Sequence, residues 1–104
     1  VIKNGKLFKH YLFFIAYEHP QDETWLVLSD FIPINTFSQA RGLYKMYHDV
    51  FKEDLLRTSK KGWVASVSFD NIGTLRLLRR LGAISQGFDN TEKILFYLYK
   101  EDIK

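Results

Sequence analysis

The chain has no cysteine among its 104 residues, which excludes disulfides, thiolate nucleophiles and cysteine-ligated zinc. Proline occurs only as Pro20 and Pro33. No apolar run approaches the roughly 20 residues a membrane-spanning helix needs, and Leu12 to Tyr17 is far shorter. No secretory or anchor pattern is visible, so no membrane partner is expected and the expected location is the cytoplasm, or the host cytoplasm or virion for a phage-encoded chain. The three histidines, His10, His19 and His48, lack a paired spacing such as H-E-x-x-H, so no metal site is expected. Repeats, low-complexity tracts and interdomain linkers are absent as well.

What the chain does have is apolar and aromatic material, 46% and 16% of its residues. At this length that is enough for one domain, residues 1–104, with a core that needs no staple. The formal net charge of +3 favours anionic partners such as nucleotide cofactors, phosphates or nucleic acid.

Asn4-Gly5 lies between two β-prone runs, a strong hairpin signal. A strand is expected from about Lys6 to Tyr17, a connection around Pro20, and a nearly continuous apolar strand from Thr24 to Ile32, central in its sheet and ended by Pro33. Ser38 is a candidate N-cap for a helix over Gln39 to Leu56, in which Leu43, Tyr47, Val50, Phe51 and Leu55 recur at three- and four-residue spacing. Trp63 to Ser68 reads as a strand, Gly73 to Leu81 as a helix closed by Gly82, and Ile84 to Phe88 and Lys93 to Tyr99 as strands around a turn. The order β-β-β-α-β-α-β-β defines an α/β (α+β) mixed sheet with helices on its faces.

Two places can carry chemistry. Gln39-Ala40-Arg41-Gly42-Leu43-Tyr44 falls where a buried strand gives way to the long helix. Free N–H groups and the helix dipole make such a start an anion site, and Gly42 would admit a phosphate closely while Arg41 adds charge. Asn71 stands between a strand and a helix, where its amide can cap the helix or offer donors and an acceptor to a ligand. Arg76, Arg79 and Arg80 form a basic helix face which, with Lys60 and Lys61, could meet cofactor phosphate, nucleic acid or only solvent.

The segment Trp63 to Ala83 resembles the end of the GNAT acyl-CoA N-acyltransferase domain, in which a strand is followed by N-x-x-(small)-x-x-L-Y-x-x-L-G-F; the matching residues are Asn71, Thr74, Leu77, Leu81 and Gly82. Leu78 stands at the usual Tyr position and Ala83 at the usual Phe. The family's pyrophosphate loop, R/Q-x-x-G-x-G/A, is matched by Gln39 and Gly42, with Tyr44 where a small residue is usual. The resemblance extends to the element order of nearly the whole chain. It implies a GNAT-like fold without the first strand and first two helices, consistent with a chain that begins at Val1 rather than Met.

By the same resemblance, the chain would move an acetyl group from acetyl-CoA, as cosubstrate, directly to a primary amine whose identity the sequence does not give. Gln39, Ala40, Arg41, Gly42, Leu43 and Tyr44 would hold the pyrophosphate, the backbone of Phe31, Ile32 and Ile34 would pair with pantetheine, and Asn71 would orient the cofactor. Asp30 is the candidate base, raised toward a useful pKa by burial in its apolar strand. Leu78 cannot protonate a leaving thiolate as the usual Tyr can. The alternatives are a non-catalytic GNAT-like structural or interaction protein, phage- or virion-associated, and a small basic nucleic-acid-binding domain.

Overall fold

The computed structural model describes residues 5–88 and 93–103, with the side chain of Phe88 excepted. Six strands form one mixed sheet: β1 Leu7–His10, β2 Ile15–His19, β3 Asp22–Ser29, β4 Gly62–Ser68, β5 Ile84–Phe88 and β6 Lys93–Tyr99. Their spatial order is β1-β2-β3-β4-β6-β5. Only β3 and β4 pair in parallel among the described residues, and the other neighbours are antiparallel. The expected mixed α+β class is therefore present.

The first hairpin differs from expectation. Lys6 to Tyr17 is not one strand: the chain turns between β1 and β2, where the Tyr11 N–H donates to the Phe14 carbonyl at 2.9 Å. Phe13 and Phe14 are buried there, so core burial of two adjacent aromatics decides where the chain reverses. The part of the expected Asn4-Gly5 turn before Gly5, and the turn after Phe88, lie outside the described residues. The central strand behaves as expected, with Leu26, Val27 and Leu28 all fully buried. Its end comes before Pro33, at Asp30, whose φ of 55° turns the chain out of the ladder.

Helix α1, Phe37–Met46, starts earlier than Ser38 suggests. Its N-cap is Thr36, whose hydroxyl accepts the Gln39 N–H at 3.1 Å while the Gln39 side-chain carbonyl accepts the Thr36 N–H at 3.0 Å, a capping box. A π-helical stretch, Tyr47–Phe51, joins α1 to α2, Lys52–Leu56. The spacing explains it. Leu43, Tyr47, Phe51 and Leu55 are all buried, and on a pure α-helix each four-residue step overshoots a full turn by about 40°. A wider π turn cancels that drift and returns the four side chains to one line. Val50, expected on the same face, is exposed instead.

Helix α3, Ile72–Arg80, ends at Gly82 with φ 94°. Gly82 N–H donates to Arg79 and Ala83 N–H to Leu78, both at 3.1 Å, so the last carbonyls are satisfied by a Schellman closure that needs a left-handed residue. Helices α1 and α3 pack on the same side of the sheet rather than on opposite faces. Leu43, Met46, Leu75, Leu77, Leu78 and Leu81 share one apolar cluster with Ala16, Leu26, Leu28, Trp63, Ala65, Val67, Phe96 and Leu98. The alternate strand residues Trp25, Val27, Val64, Tyr97 and Tyr99 stand outside that cluster, on the other face.

Candidate ligand groove between α1 and α3

Ladder pairing between β3 and β4 ends at Leu28 and Ala65. Beyond it β3 bends away at Asp30 while β4 continues to Ser68 against β6. The resulting gap lies at the carboxyl ends of two parallel strands, the position where open α/β sheets hold ligands.

Asn71 spans this gap. Its side-chain carbonyl accepts the Ile34 N–H at 3.0 Å, and its NH2 donates to the Ile32 carbonyl at 3.1 Å. The Ile32 N–H in turn donates to the Phe13 carbonyl at 3.1 Å, which ties the same segment to the first hairpin. Asn71 is buried. Both halves of its amide are committed to residues 32 and 34, so it makes no side-chain cap on α3. Gly73 completes the junction, because a Cβ there would lie 2.4 Å from the Ile34 carbonyl oxygen. No larger residue lets α3 approach the 31–34 segment so closely.

Outside this seam two connected hollows run between α1 and α3. The inner one, about 490 Å³, is lined by residues around both helix starts, including Ile34, Thr36, Phe37, Asp70, Ile72 and Gly73, together with Arg76 and Arg80. The outer one, about 470 Å³, is lined by Phe37, Ala40, Arg41, Tyr44, Leu77 and Arg80. Shared lining by Phe37, Ala40, Leu77 and Arg80 makes them one groove. Phe37 is 84% exposed, and Ile72 and Tyr44 are about half exposed. Two helix N-termini and three arginines thus lie beside apolar side chains, which gives the groove a positive and partly apolar lining. Asp70 is the one carboxylate in the lining, and it accepts a hydrogen bond from the Ser68 hydroxyl at 2.7 Å.

The residues singled out in the sequence divide between groove and core. Ala40, Arg41 and Tyr44 line the groove. Leu43 is buried in the core, and Gly42 faces Phe13, whose ring would sit 2.9 Å from a Cβ at that position. The stretch Gln39 to Tyr44 lies within α1, as the expected helix over Gln39 to Leu56 has it, and not at its first residues. The Gln39 N–H is taken by Thr36 and the Ala40 N–H by the Thr36 carbonyl, so the free N–H groups expected at Gln39 to Tyr44 are used by the helix. The helix start that faces the groove belongs to Thr36 and Phe37.

Of the segment expected to pair with an extended ligand, Phe31 turns its ring toward Phe14 with centroids 5.1 Å apart, and Ile34 is buried. Ile32 is 42% exposed. Asp30 is exposed and does not line the groove, so it lacks the burial expected of the base. Leu78 is buried in the core and does not line the groove. The basic residues separate too. Arg76 and Arg80 reach the groove, whereas the Arg79 guanidinium lies over Phe96, 6.0 Å from the ring centroid. Lys60 and Lys61 precede β4 and the arginines follow it, so a strand of about 20 Å lies between the two groups. Lys60 is engaged by Glu18 at 2.8 Å. His10, His19 and His48 are not brought together, and no group of three or more metal-ligating side chains occurs among the described residues.

Sequence reasoning missed Thr36, Phe37, Ile72 and Gly73. The T-x-x-Q spacing of Thr36 and Gln39 was a capping-box signal that would have moved the helix start. The chain matches no protein-family model, no curated protein and no solved structure. No helix among the described residues is long and apolar enough to cross a membrane.

Proposed function

We propose that the chain is a GNAT-like domain that binds a coenzyme A thioester, with acetyl-CoA the expected ligand, in the groove between α1 and α3. The observation that carries this reading is the convergence of two helix N-termini with Arg41, Arg76 and Arg80 at the carboxyl ends of the parallel strand pair. The element order β-β-β-α-β-α-β-β and the sheet order β1-β2-β3-β4-β6-β5 support the GNAT-like assignment beyond the mixed-sheet class. The arginines meet the phosphates, while Phe37, Tyr44 and Ile72 cover the adenine or pantetheine. Acetyl transfer to a primary amine is the activity that the family resemblance assigns to such a site.

A second reading, binding without transfer, has specific support. The Asn71 amide already holds the Ile34 N–H and the Ile32 carbonyl, two of the groups assigned to pantetheine. Leu78 offers no proton and Asp30 is exposed outside the groove.

Calorimetric titration with acetyl-CoA tests the proposal, with Arg76→Gln/Arg80→Gln as the matched variant at two exposed positions. Micromolar binding that weakens tenfold or more in the double variant is the expected result. Binding weaker than roughly millimolar, unchanged by the two substitutions, overturns it. Thiol release from acetyl-CoA across a panel of primary amines then separates transferase from non-catalytic binder. Duplex DNA, run alongside at two salt concentrations, measures the nucleic-acid alternative.

A further inference from the structure

The sheet face turned away from the helices carries a second hollow, about 330 Å³, lined by His19, Asp22, Trp25, Val64, Gln86, Tyr97 and Tyr99. Three of these are Trp or Tyr. Tyr99 meets Trp25 at 5.1 Å between ring centroids with the planes at 66°, and meets Tyr97 at 6.1 Å and 89°. The ring planes therefore stand at steep angles to one another around one opening. Trp25 is held over Gly62, where a Cβ would come within 2.9 Å of its ring, so the indole position depends on a residue without a side chain. At the rim the Asp22 carboxylate accepts hydrogen bonds from the Thr24 hydroxyl and N–H. These bonds, first among the causes, hold its carboxyl below the usual carboxylate range. His19 Nδ1 accepts the Gln21 N–H at 3.1 Å.

Aromatic faces carry negative quadrupole potential, and a carboxylate beside them adds full charge. We propose that the hollow formed by Trp25, Tyr97, Tyr99 and Asp22 is a binding site for a quaternary or methylated ammonium group. Lys61 and His19 both lie close enough to Asp22 to act on it electrostatically, and each opposes an incoming cation. This inference stands apart from the groove, which opens on the other side of the sheet.

Choline and tetramethylammonium are titrated against the whole chain, followed by the NMR shift of the Trp25 indole N–H. A neutral isostere, 3,3-dimethylbutan-1-ol, is run alongside, because it keeps the shape and removes the charge. Saturable shifts in the millimolar range are expected, with the isostere at least about tenfold weaker. Tyr99→Ala and Asp22→Asn should each weaken choline several-fold, and Lys61→Gln should strengthen it. A trimethyllysine amide in a parallel titration distinguishes a modified side chain from a free small cation, and tighter binding of either supports the site. Equal binding of the neutral isostere, or no shift up to roughly 50 mM choline, overturns the proposal. Asp22→Asn keeps an acceptor for Thr24, so it tests the charge even if Tyr99→Ala disturbs the sheet.

Discussion

The Asn71 side chain accepts the N–H of Ile34 at 3.0 Å across 37 residues of sequence. With the partner bond to Ile32 it gives the end of the departing strand a substitute for the ladder that β4 no longer supplies. One primary amide, offering a donor and an acceptor in a plane, does what a backbone peptide would do there. The same geometry fixes where β3 ends, where α3 begins and how wide the inner part of the groove is.

Removal of this amide leaves a buried N–H and a carbonyl without their partner. Asn71→Ala is expected to cost about 2–4 kcal/mol, seen as a lower denaturant midpoint with an unchanged slope. Asn71→Asp keeps the acceptor, loses the donor and adds charge at a buried position, so it should be no better than alanine at neutral pH. If both variants retain wild-type stability, the amide is not a strut.

How much of this was legible in the sequence depends on the range of the signal. Gly82 as a helix stop, β4, β5 and β6, and the buried centre of β3 follow from local periodicity and from one residue able to take positive φ. The hairpin between β1 and β2 did not, because Tyr11 to Phe14 contain no Gly, Pro, Asn or Asp and the turn is set by burial of the Phe13 and Phe14 rings. The groove was half legible. Asn71 and the arginines stand out as residue types, but which of Gln39 to Tyr44 face a ligand depends on a helix start two residues earlier than Ser38 implied. The partners of Asn71 are backbone groups, and no side-chain pattern announces them.

Gly73 offers an independent check on the same seam. A methyl group there meets the Ile34 carbonyl oxygen and Cβ, both part of a segment held by Asn71 and Phe13. Neither can rotate away, so Gly73→Ala should destabilise by about 1–3 kcal/mol through overpacking despite the better helix propensity of alanine. Gly82→Ala has nothing within 4 Å of the new methyl group. Its expected loss of about 1–2 kcal/mol comes from backbone strain alone. Urea titrations of both variants, with acetyl-CoA absent and present, separate them: only Gly73→Ala should also alter ligand affinity.

Two buried aromatics tie the π-helical stretch to the sheet. The Trp63 indole N–H donates to the Tyr47 hydroxyl at 3.1 Å, and Trp63 is fully buried. Tyr47→Phe keeps the ring and removes the acceptor, so the indole N–H is left without its partner at an expected cost of about 1–2 kcal/mol. Near-ultraviolet circular dichroism should change in the indole band while the far-ultraviolet spectrum holds. An unchanged thermal midpoint would mean that the bond contributes nothing net.

Acid stability should follow Asp54. Desolvation is the largest single influence on it and acts upward, but hydrogen bonds from the Tyr11 hydroxyl at 2.7 Å and from Lys9 at 3.0 Å, with the charges of Lys9 and Arg57, outweigh it and lower its pKa. A depressed folded-state pKa means that the unfolded chain binds the proton more tightly, so stability rises with pH through that window. The contribution is complete above the unfolded carboxylate range near pH 4 and disappears as pH falls through the lower, folded value. Asp54→Asn should therefore flatten the decline of the thermal midpoint below about pH 4, leaving Glu18, whose carboxyl is also lowered by its hydrogen bond from Lys60, as a remaining source of slope. At the alkaline end the sign reverses. Burial raises the Tyr47 phenol to about 12, so its contribution is present below the ordinary tyrosine value of 10.0 and is lost as pH rises toward 12. A wild-type profile with no acid slope, or an Asp54→Asn profile steeper than wild type, would contradict the assignment of that carboxylate to the Tyr11 and Lys9 bonds.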